Sequence, residues 1–349
     1  MKFLIAGLGG IGQRHVRNLR ALAGTSADIL AYRVQGNSPT LTDSLDVETG
    51  DSVDRKYGIR VVADLDAALG EGPDAVLICN PSSLHMSVAL KAARAGSALF
   101  VEKPLSSTSE GTDELIDLVE SKHLVGLVGY QMRFHPSLLR AQALLAAGTI
   151  GRVVAVRIEV GEYLPGWHTY EDYRQMYASR SDLGGGVILS QIHELDYVYW
   201  LFGMPTRVFA LGGHLTRLEV DVEDTASLLL ECSVDGRSIP VHVHQDFIQR
   251  PATRTCAVIG DAGKILVDLR QLTVTVFDAE GNIAESSSNP GFERNQLFLE
   301  EMRHFLACVE GDETPRVSIR DGARSLMIAL AAKQSIETGQ VVDLAREAL

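Results

Sequence analysis

The chain has 349 residues, 46% of them hydrophobic, and a formal net charge of −13 at pH 7. A chain of this length can bury the cores of two domains, and no unbroken apolar run reaches the ~18 residues that span a bilayer. The acidic balance, without a run of Lys or Arg, argues against a nucleic-acid-binding face. We expect a cytoplasmic protein without a secretory signal, partnered by neither nucleic acid nor membrane, with its four scattered cysteines reduced.

The chain opens with an apolar stretch, KFLIA, that is followed by a cluster of glycines. Gly7, Gly9 and Gly12 form G-x-G-x-x-G between this predicted strand and a segment whose apolar residues recur at helical spacing. In that setting the glycines permit a tight turn, admit a pyrophosphate to the backbone and let helix and strand pack closely. The alternative is an ordinary glycine turn in another α/β protein. We predict a dinucleotide site that includes Gly7, Gly9, Gly10, Ile11 and Gly12.

Alternating strand and helix patterns continue after the glycines. Further strands are predicted near residues 28–34, 59–62, 74–80, 97–103 and 124–130, and helices at 64–69, 84–95 and 109–122. Alternation of this kind indicates a parallel, doubly wound sheet with helices on its faces. We therefore predict an α/β Rossmann domain over residues 1–129.

The end of the second predicted strand bears on the choice of cofactor. An acidic residue there would bind the ribose 2′-hydroxyl of NAD, but this chain has Tyr32 and Arg33. A guanidinium can bind a 2′-phosphate, which a carboxylate would repel. The sequence thus predicts NADP as the preferred cofactor. NAD is the alternative, in which Arg33 is merely solvated.

Two short motifs, NPSSLH at 80–85 and EKP at 102–104, make the chain recognisable. With GLGGIGQRH, GYQMRFHP and GGGVILSQIHELDYVYWLFG, they resemble the glucose–fructose oxidoreductase / inositol dehydrogenase / MocA family of NAD(P)-dependent oxidoreductases, and the likeness runs nearly end to end. EKP alone is short, but the set together is specific. The resemblance adds Asn80, Pro81, His85, Glu102 and Lys103 to the expected cofactor-binding residues.

The resemblance also implies a second α/β domain, over residues 130–349, with a large and mostly antiparallel sheet. The sequence supports it with strand candidates near 152–162, 207–212, 225–233, 239–247, 255–259, 264–268 and 272–277, and helices near 295–310 and 320–338. One face of that sheet often forms a subunit interface in the family. A homodimer or homotetramer is therefore expected.

The family assigns the chemistry to Lys103 and His193. Lys103 would lie beside the nicotinamide, where an ammonium stabilises negative charge on an alcohol oxygen; the alternative is a surface lysine paired with Glu102. His193 would be the acid/base for the substrate hydroxyl, a task that suits imidazole; the alternative is a structural histidine. On one continuous helix Ser190, His193 and Asp196 share a face, so a polar cluster could orient the ring.

The chain departs from the family one turn before this histidine, where many relatives carry an aspartate and this sequence has Leu189 and Ser190. A serine cannot stabilise an imidazolium as a carboxylate would, and Asp196 is either a substitute or a structural residue. A catalytically silent dinucleotide-binding regulator therefore stays open. Lys103 and His193 favour a dehydrogenase or reductase of a sugar, sugar derivative or polyol, with reduction of an imine or a non-sugar carbonyl as a third possibility.

Substrate contacts are predicted mainly in the aromatic and Arg-rich segment 162–186, which suits sugar rings and anionic groups. The alternative is a loop that packs on the sheet, or for Tyr130 a residue of the domain junction. His242 and His244 alternate onto one side of a strand without further ligands nearby, so no metal is predicted. The predicted substrate-binding residues are Tyr130, Trp167, His168, Tyr173, Arg174, Ser190 and His193.

Overall fold

The computed structural model describes residues 1–34 and 39–344. Six strands form its first sheet: β1 (Lys2–Ala6), β2 (Asp28–Tyr32), β3 (Arg60–Val62), β4 (Ala75–Ile78), β5 (Ala98–Glu102) and β6 (Gly126–Gly129). All are parallel, in the order β3-β2-β1-β4-β5-β6, which confirms the predicted doubly wound sheet. Every residue of β4, β5 and β6 is buried, as expected for strands covered on both faces.

Five helices connect these strands: α1 (Gly10–Ala23), α2 (Val53–Tyr57), α3 (Leu65–Gly70), α4 (His85–Ala95) and α5 (Thr112–Ser121). The strand order reverses between β1 and β4, and sheets of this kind bind ligands beyond the carboxyl ends of the strands at such a point. Gly7, Asn80 and Lys103 follow β1, β4 and β5 within two residues. The topology therefore brings the three predicted motifs to one edge of the sheet.

Nine strands form the second sheet: β7 (Val153–Gly161), β8 (Pro205–Gly213), β9 (Thr225–Val234), β10 (Arg237–Asp246), β11 (Thr253–Gly260), β12 (Gly263–Asp268), β13 (Thr273–Phe277), β14 (Ile283–Ser288) and β15 (Val342–Asp343). Their order is β14-β13-β12-β11-β7-β10-β9-β8-β15, and neighbours are antiparallel except β7 and β10. The expected mostly antiparallel sheet is confirmed. The two edge strands, β14 and β15, were not predicted.

Five more helices complete the described chain: α6 (Pro136–Ala146), α7 (Val187–Ser190), α8 (His193–Phe202), α9 (Arg294–Glu310) and α10 (Ile319–Thr338). Helix α10 packs on β8 of the second sheet. Helix α9 returns to the first sheet, where Met302 and Phe305 are buried in one core with Phe3 and Phe100. The C-terminal helices thus pack against both sheets.

The two faces of the second sheet differ in burial. Val156, Ile158 and Val243 on one face are buried, whereas Leu211 and Leu229 on the other are 62% and 51% exposed. The sheet therefore has one face covered by helices and one open face. None of the helices in the two described ranges is both long and apolar enough to cross a membrane.

Candidate active site

The glycine loop after β1 has the geometry of a cradle. Gly7 adopts φ +102°, and a Cβ on Gly12 would lie 2.1 Å from the Gly7 carbonyl oxygen, so the helix can pack this closely only with glycine there. A Cβ on Gly9, by contrast, would meet nothing within 4 Å. The first and third glycines are therefore used by the fold itself, while the backbone at Gly9 stays open to a ligand. This geometry fits a dinucleotide better than a turn that serves packing alone.

The loop after β4 is fixed by a buried histidine. The His85 ring nitrogens lie 2.7 Å from the Asn80 carbonyl oxygen and 2.8 Å from that of Pro104, so the ring connects the NPSSLH loop to the EKP loop. Burial lowers the pKa of His85, and a neutral ring donates to one of these carbonyls and only contacts the other. The ring is 1% exposed, which gives His85 a positioning role and leaves its predicted cofactor contact as a prediction. The Asn80 side-chain oxygen is buried and has no hydrogen-bond partner among the described residues.

Lys103 reaches across the cleft from the first sheet to the second. Its Nζ donates a hydrogen bond of 2.8 Å to the carbonyl oxygen of Ser190, at the end of α7. The Glu102 carboxylate is 2.6 Å from the His15 Nε2 atom, and within the described ranges Lys103 forms no ion pair. The alternative of a surface lysine paired with Glu102 is therefore not what the structure shows. His15, on α1, was missed because no sequence pattern links it to a residue 87 positions away.

The predicted single helix around His193 is wrong: α7 ends at Ser190 and α8 begins at His193. The break has a physical cause in β10, because the Gln245 side chain donates to the Gln191 carbonyl oxygen at 2.7 Å while the Gln191 side chain donates to the Asp246 carbonyl at 3.1 Å. These bonds compete with helix continuation at Gln191. Ser190 and His193 therefore do not share one continuous helix face.

His193 is the first residue of α8, and its ring is buried. It is 5% exposed and packs edge-on against Tyr130, with ring centroids 5.8 Å apart. Burial, followed by the positive charges of Lys103, Arg254 and Arg294, lowers the pKa of His193 well below its usual value. The ring is therefore neutral at physiological pH, the state in which it can accept a proton.

Asp196 has a structural role. Its carboxylate accepts hydrogen bonds from Arg133 at 2.9 and 2.7 Å and from the Ser325 hydroxyl at 3.0 Å, in a fully buried site. The carboxylate is thus occupied and does not replace the aspartate that relatives carry before His193. Arg133 therefore has a structural role as well, since its guanidinium binds Asp196 and lies 3.4 Å from the Arg316 carbonyl oxygen.

Two buried polar atoms near Lys103 lack a hydrogen-bond partner within the described residues: the Ser190 hydroxyl oxygen and His193 Nδ1. Buried polar groups are normally paired, so these two unpaired atoms are suited to a polar ligand. Together with the Lys103 ammonium they form a set of donors and acceptors for a hydroxyl-bearing molecule.

The aromatic segment after β7 reaches the glycine loop. Trp167 packs edge-on against Phe247 with ring centroids 5.3 Å apart, and its Nε1 is buried without a partner in the described chain. The His168 ring stacks on Tyr170 and binds Glu171 at 2.7 Å. The Tyr170 hydroxyl lies 3.1 Å from the position of a Cβ on Gly10. Tyr170 was not predicted, since one tyrosine among several carries no distinguishing pattern.

Tyr173 and Arg174 lie on an outer turn of this segment. The Tyr173 hydroxyl accepts the Glu219 backbone N–H at 3.1 Å. The exposed Arg174 guanidinium pairs with Asp172 at 2.9 Å and Glu219 at 2.8 Å. These contacts agree with the packing alternative, and a substrate role for the two residues remains a prediction.

Two family profiles match the chain. One, described as an oxidoreductase family with an NAD-binding Rossmann fold, covers residues 1–130; the other, the GFO/IDH/MocA C-terminal domain, covers residues 138–266. The chain belongs to this family. The resemblance that the motifs predicted is confirmed, and the first sheet is the NAD-binding Rossmann fold of a GFO/IDH/MocA oxidoreductase.

Individual relatives match nearly the whole chain. Over 360 residues it is 28% identical to the myo-inositol 2-dehydrogenase of Thermotoga maritima, covering 99% of this chain and 98% of the relative. Over 351 residues it is 26% identical to the D-xylose 1-dehydrogenase (NADP(+)) 2 of Haloferax volcanii, covering 99% and 100%. The fold matches the crystal structure of the WlbA dehydrogenase from Bordetella pertussis in complex with NADH and UDP-GlcNAcA, with a TM-score of 0.79 at 22% identity over 99% of both chains.

Proposed function

We propose that this protein transfers a hydride between a nicotinamide dinucleotide and a secondary hydroxyl or ketone of a sugar, sugar derivative or polyol. The observation that carries the proposal is the hydrogen bond from Lys103 to the Ser190 carbonyl at the carboxyl edge of the Rossmann sheet, with the Ser190 hydroxyl and His193 Nδ1 buried and without a partner among the described residues. Relatives that act on myo-inositol and D-xylose support this substrate class.

The cofactor would be held by the backbone around Gly9, Gly10 and Ile11, at the start of α1, and by the loop of Asn80 and Pro81. The bound dinucleotide accepts or supplies the hydride. Arg33 directly follows β2, and its backbone N–H donates to the Val62 carbonyl oxygen at 3.2 Å. We keep NADP as the preferred cofactor, because a guanidinium at this strand end can bind a 2′-phosphate.

His193 would take the proton of the substrate hydroxyl during oxidation and return it during reduction. Its lowered pKa keeps the ring neutral, so no preceding deprotonation is needed at neutral pH. Lys103 would stabilise the developing alkoxide. Its hydrogen bond to the Ser190 carbonyl uses one of the three ammonium donors and fixes the direction of the other two.

The function is tested by assaying NADP⁺ and NAD⁺ reduction with a panel of neutral sugars and polyols. Turnover that depends on His193 supports the dehydrogenase, with His242→Asn on the open sheet face as the matched control. Absence of turnover with every alcohol and ketone, while the dinucleotide binds tightly, would favour the silent regulator.

The cofactor preference is tested by fluorescence titration with NADPH and NADH. We expect tighter NADPH binding that Arg33→Ala abolishes while NADH affinity is kept. Equal loss of both affinities, or a preference for NADH in the parent protein, would remove the role given to Arg33.

The open face of the second sheet supports a homodimer or homotetramer. Leu229 lies between Phe209 on β8 and His242 on β10, and with Leu211 it forms an exposed apolar patch. Sedimentation of the protein and of Leu229→Glu tests this, and a parent protein that is monomeric at micromolar concentration would contradict it.

A further inference from the structure

Helix α9 places an arginine beside the layer that supports Lys103. Arg294 and Phe298 are four residues apart and share a helix face. Phe298 packs edge-on against His15 with centroids 6.3 Å apart, and His15 binds Glu102, the residue before Lys103. Phe298 is buried and Arg294 is exposed. Arg294 therefore lies about one helical turn further toward solvent from this supporting layer.

Arg294 differs from the other arginines around it in having no acceptor. Arg14 donates to the Asn295 side chain at 2.8 Å, Arg254 binds Glu194 at 2.8 Å, and Arg270 lies 3.4 Å from Glu162. The Arg294 guanidinium makes no hydrogen bond or ion pair to any residue in 1–34 or 39–344.

The surroundings of Arg294 are cationic although the chain as a whole carries −13. Its charge acts on His193 together with those of Lys103 and Arg254, so all three cations lie around the candidate catalytic ring. Glu194 is committed to Arg254 and Glu102 to His15, while Glu162, 3.4 Å from Arg270, is the carboxylate whose charge acts on Arg294. The charges of Arg254 and Arg270 disfavour the Arg294 guanidinium and that of Glu162 favours it, so an anionic ligand would add to the favourable side.

Resting on the proposed function, we propose that Arg294 binds an anionic group, a carboxylate or a phosphate, carried by the sugar substrate. The guanidinium fork offers two parallel N–H donors, which match either group in a bidentate contact. Because Arg294 is exposed and its charge acts on His193, the anion would lie on the solvent side of the reacting hydroxyl. Arg294 would thus select anionic over neutral sugars, a role that the sequence had suggested for Arg174.

The test compares D-glucuronate and D-glucose 6-phosphate with D-glucose, which share a ring and differ in the anionic group. Binding to the protein saturated with reduced dinucleotide is measured by calorimetry, so turnover is not required. We expect at least one anionic sugar to bind more tightly than glucose, and Arg294→Gln to weaken it about 10-fold or more. The two anionic sugars distinguish a carboxylate site from a phosphate site.

Arg303→Gln is the matched control, because that exposed arginine lies on the same helix and is already paired with Glu300. Equal binding of all three sugars to the parent protein would overturn the proposal, as would unchanged affinity in Arg294→Gln with an unchanged melting temperature. A parallel loss of NADPH affinity would assign Arg294 to a cofactor phosphate and overturn the substrate role. Failure of the proposed function would appear separately, as absent turnover with every sugar.

Discussion

The ammonium of Lys103 donates a hydrogen bond of 2.8 Å to the backbone carbonyl oxygen of Ser190. The bond joins the end of β5 in the Rossmann sheet to the end of α7 above the second sheet, across 87 residues of chain. Because a main-chain oxygen accepts it, the contact does not depend on the serine hydroxyl. The substitution of serine for the aspartate of many relatives therefore leaves the position of Lys103 intact.

Replacing Lys103 separates chemistry from cofactor binding. We expect Lys103→Ala to lower kcat by roughly 10²- to 10³-fold, because it removes the charge that stabilises the alkoxide. Stability should fall by only about 1 kcal/mol for one lost hydrogen bond. Steady-state kinetics and NADPH titration measure the two effects, with Lys91→Ala, a surface lysine paired with Asp66, as the control. Unchanged turnover would remove Lys103 from the mechanism.

The buried His193 predicts an unusual pH profile for alcohol oxidation. Burial and three cations lower its pKa well below 6.5, so the neutral, proton-accepting ring persists into acid solution. We expect the acid limb of kcat/KM to lie below pH 6.5 and to disappear in His193→Asn together with most activity. Profiles measured from pH 5 to 9 check this. An inflection at or above pH 6.5 in the parent protein would contradict a base in this environment.

The parts of this fold that sequence patterns predicted are those with local causes. Strands β4 and β5 are continuous apolar runs because both faces are buried. The spacing of Gly7 and Gly12 reflects one close approach of helix and strand within six residues. Glu102 of the EKP motif is the last residue of β5, so the strand pattern alone predicted that Lys103 lies at the carboxyl edge of the sheet.

The parts that patterns missed depend on partners far along the chain. The helix break at Gln191 is caused by Gln245, 54 residues later, and the carboxylate of Asp196 is taken by Arg133, 63 residues earlier. Strand β14, with the sequence IAESSS, is a polar edge strand that pairs only with β13, so it shows no apolar alternation. Such distant pairings leave no periodic signal in the sequence.

The buried Glu301 predicts that the protein loses stability as pH rises. Its carboxyl is fully buried with no hydrogen-bond partner in the described ranges, and burial, with the charges of Glu102 and Asp196, raises its pKa well above the usual value. The folded protein therefore keeps a proton that the unfolded chain releases, so this contribution to stability is lost as pH rises above about 4.5.

The neutral isostere Glu301→Gln has no proton to lose. We expect its free energy of unfolding to fall less between pH 5 and 8 than that of the parent protein. Urea unfolding at both pH values measures the difference, with Glu300→Gln on the exposed side of α9 as the control. An identical pH dependence in Glu301→Gln and the parent would mean that Glu301 is ionised in the folded state.

Two glycine substitutions separate the fold of the cradle from its ligand site. Gly12→Ala places a Cβ 2.1 Å from the Gly7 carbonyl oxygen, and we expect it to destabilise the protein by ~1–3 kcal/mol. Gly9→Ala meets no protein atom within 4 Å, so the melting temperature should stay near that of the control Gly70→Ala, whose Cβ is equally free. Gly9→Ala should nevertheless weaken NADPH binding ~10-fold or more, since its methyl group occupies the space left for the pyrophosphate. Thermal melts and titration of the three variants give the result. Full NADPH affinity in a stable Gly9→Ala would show that the phosphates do not approach the backbone at this position.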